Sequence, residues 1–95
     1  MSPTAPRDPE QPSLLEFPCE FPIKVVGRRE DGFAQAVSEI VRRHAPDFDA
    51  SALGMRASRN ARFLSLTATI TARSRAQLDA LYRELSGHPL VMMVL

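Results

Sequence analysis

Cysteine is nearly missing from this chain: Cys19 is alone among 95 residues, so neither an internal disulfide nor a CxxC redox pair can form. No apolar stretch approaches the ~18 residues that a bilayer crossing requires. The opening segment, Met1 to Pro9, carries charge with no apolar run behind it, which does not read as an export signal. Together these features predict a cytoplasmic protein with no membrane partner. Metal-ligand spacing is also lacking. His44 and His88 stand apart, each within two residues of a proline, where histidines commonly cap helix ends, and no HxxxH pair occurs. No glycine-rich phosphate loop and no activated nucleophile accompany them, so no cofactor is expected and catalysis is not. Asp47 and Asp49 lie in a short loop that reads as a solvated turn rather than a carboxylate pair.

What is present is charge of uneven sign and a clear alternation of elements. Residues 1–20 hold one arginine against four carboxylates, whereas residues 21–95 hold eleven basic against seven acidic side chains, ten of the basic ones arginine. Such an excess suits either a solvated surface or an anionic partner. Four of the eight prolines fall in the first twelve residues. That composition buries too little apolar surface to offset its ordering entropy, so residues 1–13 are expected to form a disordered tail and residues 14–95 a single domain. Leu14, Leu15 and Phe17 read as an arm laid against that domain.

Phe21, Ile23 and Val25 alternate along a first strand over residues 21–27. Asp31 is the expected N-cap of a first helix near 31–44, with Phe33, Val37, Ile40, Val41 and His44 on its apolar face. Arg42, Arg43 and His44 fall in its last turn, where cations complement the dipole, and Pro46 stops it. Leu53 to Arg59 reads as a second strand, and Asn60-Ala61 as a tight hairpin, since asparagine tolerates positive φ. In the third strand Leu64, Leu66, Ala68 and Ile70 alternate with Ser65, Thr67, Thr69 and Thr71, which implies a sheet covered on one face only. Ser74 and Gln77 form a capping box for a second helix near 74–86, whose stripe is Leu78, Leu81, Tyr82 and Leu85. Gly87 is expected as a left-handed residue closing it, ahead of Pro89. Leu90 to Leu95 then form a last strand with no charge after His88.

Two strand–helix–strand units joined by a hairpin specify an α+β, ferredoxin-like split βαβ fold. Right-handed crossovers put both helices on one face of a four-stranded antiparallel sheet of order 4-1-3-2. The last strand is then an edge with an open-face apolar surface, covered by the arm, by a second copy of the chain or by a protein partner. Strict alternation would send either Leu90, Met92 and Val94, or Val91, Met93 and Leu95, toward the helices.

The strings Leu14-Leu15-Glu16-Phe17-Pro18 and Lys24-Val25-Val26-Gly27 resemble the opening of the bacterial YbeD family. The similarity continues through Arg43-His44-Ala45-Pro46, Leu81-Tyr82-Arg83-Glu84-Leu85 and Met93-Val94-Leu95. The resemblance implies the fold just derived, similar to ACT-type regulatory domains, and a regulatory role rather than a catalytic residue. ACT domains often bind amino acids where the first strand turns into the first helix. Here that turn holds Gly27, Arg28, Arg29 and Gly32, and its two arginines favour an anion over a zwitterion.

The main expectation is therefore a non-enzymatic regulatory module that binds protein through residues Leu90, Val91, Met92, Met93, Val94 and Leu95. The alternative is a small-anion or metabolite sensor using Gly27, Arg28, Arg29 and Gly32. Nucleic-acid binding is not expected, because Phe63 is the only aromatic available on the open face, although Arg56, Arg59 and Arg62 surround the hairpin. An acylphosphatase-like site would combine Arg28 or Arg29 with Asn60. It is set aside on the expectation that the hairpin and the first loop lie at opposite ends of the sheet.

Overall fold

The computed structural model describes residues 16–95. In chain order these form β1 (Cys19–Arg28), α1 (Phe33–His44), a 3₁₀ turn at Ala50–Ala52, β2 (Gly54–Ala57), β3 (Phe63–Ala72), α2 (Arg75–Ser86) and β4 (Val91–Val94). The sheet order is β2-β3-β1-β4 with every pair antiparallel, as the βαββαβ pattern predicts. The expected tail and the arm residues Leu14 and Leu15 lie outside the described residues. Phe17, further along, packs half-buried on the core.

One face of the sheet is core and the other is open. Ile23 and Val25 of β1 and Leu66, Ala68, Ile70 and Ala72 of β3 are buried beneath Phe33, Val37, Ile40 and Val41 of α1 and Leu78, Leu81 and Leu85 of α2. The intervening residues of β1 and β3, among them Lys24, Val26, Ser65, Thr67 and Thr69, carry the open face, since successive side chains of a strand point to opposite sides.

Local chemistry departs from the expected in four places. Gly32, not Asp31, is the N-cap of α1; its φ of 87° lies in the left-handed region, and no side chain caps the helix. β2 stops at Ala57 because Ser58 closes the hairpin, its N–H donating to the Phe63 carbonyl (2.9 Å) and its Oγ accepting from Phe63 N–H (3.1 Å). The positive φ falls on Ala61 (59°), while Asn60 Oδ1 accepts from the Arg62 N–H and the Ser58 hydroxyl. At α2, Ser74 Oγ accepts from Gln77 N–H as a capping box requires. The return arm, however, reaches Arg73 N–H (2.6 Å) instead of Ser74. Gln77 Nε2 also donates to the His44 carbonyl (2.8 Å), tying α2 to the end of α1. Gly87 has φ −84° and is not left-handed. The helix ends instead through bonds from Gly87 N–H to the Arg83 carbonyl and from His88 N–H to the Leu85 carbonyl.

β4 changes face partway along. It pairs Val25 with Val94 and Val26 with Met93, but Gly27 with Val91, so Met92 is an extra residue in a bulge. Neither strict alternation holds. Leu90, Val91 and Val94 pack half-buried on the core, and Met92, Met93 and Leu95 are 58%, 50% and 61% exposed.

Candidate functional site

Two loops expected at opposite ends of the sheet stand side by side. β1 runs toward α1, and β3 is antiparallel to it, so Arg28 pairs with Phe63 and the β2–β3 hairpin lies beside the β1–α1 loop. The Arg29 N–H donates to the Arg62 carbonyl (3.0 Å), fixing one loop to the other. This overturns the geometric reason for setting Asn60 apart from Arg28 and Arg29. The Asn60 side-chain carbonyl is instead occupied in holding its own turn.

Gly27 and Gly32 shape the first loop without supplying chemistry. A Cβ on Gly27 would sit 2.3 Å from the Leu90 carbonyl oxygen and 2.6 Å from the Phe33 ring, so only glycine lets β1, β4 and α1 meet this closely. Gly32 provides the positive φ from which α1 starts. Beyond them, a cleft of about 420 Å³ is lined by Arg28, Arg29, Glu30, Arg62, Phe63 and Met92. Arg28, Arg29 and Arg62 are exposed. Among the described residues, none of the three takes part in an ion pair. A second cleft of about 400 Å³ adjoins at Phe63 and includes Lys24, Arg56 and Arg59.

The six residues expected as an interaction surface do not act as one. Leu90, Val91 and Val94 belong to the core side, leaving Met92, Met93 and Leu95 outward. Lys24 and Leu95 exchange both backbone bonds, N–H to carbonyl at 3.2 and 2.8 Å, which makes them a hydrogen-bonded pair. The next pair, Val25 with Val94, is then a non-bonded one, so the Val94 N–H and carbonyl point off the outer edge of the sheet.

A polar cluster that the sequence did not disclose joins the helices. Glu84 of α2 receives Arg43 and the His44 Nε2–H (2.7 Å) from the last turn of α1. The hydrogen bond from His44, aided by the Arg43 charge, holds the Glu84 carboxyl below its ordinary 4.5. Asp47 is likewise lowered, first by the hydrogen bond from Arg73 (3.0 Å), and Asp49 by Ser51, which it caps. These carboxylates fasten loops and helices rather than face a shared pocket. The signal for Glu84 was limited to composition, since helix–helix register cannot be read from a lone glutamate on a polar face. Among the described residues no three of His, Cys, Asp and Glu gather as a metal site, and no helix is long and apolar enough to cross a membrane.

Residues 12–95 match the profile of a family described as a protein of unknown function, DUF493. The chain belongs to the DUF493 family. A UPF0250 protein of Nitrosomonas europaea is 55% identical over 83 residues, covering 87% of this chain and 95% of the relative. One from Chromobacterium violaceum is 50% identical over 86 residues, covering 90% and 97%. These relatives bear out the YbeD resemblance. Among solved structures, protein HP0495 of Helicobacter pylori superposes with a TM-score of 0.73 at 19% identity, covering 99% of this chain and 98% of that one. The ACT domain from the GTP pyrophosphokinase of Chlorobium tepidum gives 0.65 at 15% identity, covering 82% and 96%. At such identities the likeness establishes a shared ACT-like fold.

Proposed function

We propose that this DUF493 member is a non-enzymatic regulatory module that works by protein contact, and that its first contact is with a second copy of itself along β4. The observation that carries this reading is the chemistry of the free edge. β4 holds no charged residue, Met93 and Leu95 stand exposed, and the Val94 backbone points outward. In a two-fold antiparallel pairing each strand meets its own sequence reversed, so a charge near the middle of a short strand is brought close to its like across the axis. β4 brings no charges together, whereas β2 paired on itself would bring two Arg56 side chains close to each other. The ACT-like fold supports the regulatory part of the reading by analogy of architecture.

Sedimentation of the full chain over a wide concentration range tests the proposal. A dimer that Met93→Lys converts to a folded monomer, whose melt no longer depends on concentration, is the expected result. A monomer throughout, or a dimer indifferent to Met93→Lys, contradicts it.

A further inference from the structure

We propose that the cleft between the β1–α1 loop and the β2–β3 hairpin binds a small organic phosphate, its phosphate on Arg28, Arg29 and Arg62 and its apolar part on Phe63 and Met92. The inference goes beyond self-association and needs only one copy of the chain.

Four observations converge on it. The three guanidinium groups come from two loops that a backbone hydrogen bond (Arg29 N–H to the Arg62 carbonyl, 3.0 Å) holds in fixed relation. Among the described residues, Arg43, Arg73 and Arg75 are placed against Glu84, Asp47 and Asp79, while Arg42, Arg56, Arg59 and Arg83 join no ion pair and do not line this cleft. Here three line one cleft with a single carboxylate, Glu30, leaving an excess of positive charge. Planar guanidiniums match phosphate oxygens in paired hydrogen bonds, which a lone ammonium does not.

The cleft also has an apolar side that inorganic phosphate would not use. Phe63 lies directly across from Arg28 in the β1–β3 register, so their side chains are neighbours on the open face. Met92 joins them only because the β4 bulge takes it out of register. Without the extra residue, an outward methionine would not reach this end of the sheet. Bulges commonly re-aim one side chain in this way. Glu30 supplies an acceptor for a ligand hydroxyl or ammonium. A volume of about 420 Å³ suits a small molecule.

The probes are phenyl phosphate and inorganic phosphate, titrated into the isotope-labelled full chain and followed by amide chemical shifts. Saturable shifts confined to residues 28–32, 62–63 and 92 are expected, with phenyl phosphate the tighter ligand. Arg29→Gln combined with Arg62→Gln should weaken both probes by about tenfold or more, since each loses charge-assisted hydrogen bonds. Phe63→Leu should remove the advantage of phenyl over inorganic phosphate while leaving inorganic phosphate unaffected. Because the wild-type map does not depend on any variant folding, it stands as a test alone. Non-saturating shifts, shifts centred elsewhere, or affinity that survives the double arginine change would overturn the site. A short single-stranded RNA that spreads shifts over Lys24, Arg56 and Arg59 and outcompetes phenyl phosphate would replace the small ligand with a polymer.

Discussion

The sheet has two edges of equal length and opposite chemistry. β2 (Gly54–Ala57) is exposed at every residue, carries Arg56 and is followed by Arg59. β4 (Val91–Val94) has no charge, turns two valines toward the core and keeps Met92 and Met93 outside. Charge on an edge strand blocks the addition of another strand, and a bulge does the same where it interrupts the ladder. β2 is therefore closed by its arginines. β4 is interrupted only near its start, between the Val26 and Gly27 pairings, and stays regular from Met93 onward. One edge thus carries a charge that opposes strand addition, and the other carries none, which is the asymmetry that the proposed self-association rests on.

Both edges hang on the β1–β3 pair, so the comparison presupposes that its facing is correct. Leu66 is fully buried, and Leu66→Ala should cost about 2–5 kcal/mol in a denaturant melt, through lost transfer and cavity terms. Thr67→Ala, one residue along on the open face, should stay near about 0.5 kcal/mol. Equal costs would contradict this facing, and a larger cost at Thr67 would mean that the sheet faces the other way.

A direct contrast of the edges comes next. Met93→Lys should abolish self-association while changing monomer stability by no more than about 0.5 kcal/mol. Met55→Lys, on the β2 edge at a residue 63% exposed, should leave association as it is. If only Met55→Lys dissociates the protein, the assignment of open and closed edges is reversed, and if both do, the contrast between the edges fails.

Smaller effects sharpen the account away from the edges. Glu84→Gln removes the partner of Arg43 and His44 at a half-exposed site, so its cost at neutral pH should not exceed about 1 kcal/mol. Because the folded carboxyl is held below the ordinary 4.5, its contribution is present above that pH and is lost as pH falls through the lowered value. Thermal melts of Glu84→Gln should therefore decline less toward acid than those of the parent. A residual decline from Asp47 and Asp49, also lowered, should remain. The smallest effect is expected from Arg28→Ala with Arg29→Ala. Two exposed turn arginines outside any ion pair among the described residues should barely move the melting temperature.

Much of this was legible in the sequence because burial enforces period. The alternation of Leu64, Leu66, Ala68 and Ile70 against Ser65, Thr67 and Thr69, and the 3.6-residue stripe of Phe33, Val37, Ile40 and Val41, set the elements, and their order set the topology. Caps were less legible, since Gly32 competes with Asp31 for one position and only backbone angles decide between them. The β4 facing could not be read at all, because a bulge shifts parity without leaving a mark in an all-apolar strand. The candidate cleft was half visible. Arg28 and Arg29 stood out as a pair, but Arg62 joins them through strand direction alone. That much could have been deduced, since a strand antiparallel to β1 must begin where β1 ends. Met92 could not, for it depends on the bulge.

Two neighbouring amides test the open edge most directly. The Leu95 N–H donates inward to the Lys24 carbonyl (2.8 Å), whereas the Val94 N–H points off the outer edge. Amide hydrogen exchange of the full chain at rising concentration should leave Leu95 protected throughout and bring Val94 from fast exchange to protection as β4 pairs with its copy. Fast exchange at Val94 at every concentration, beside a protected Leu95, would show the edge solvated and contradict the account.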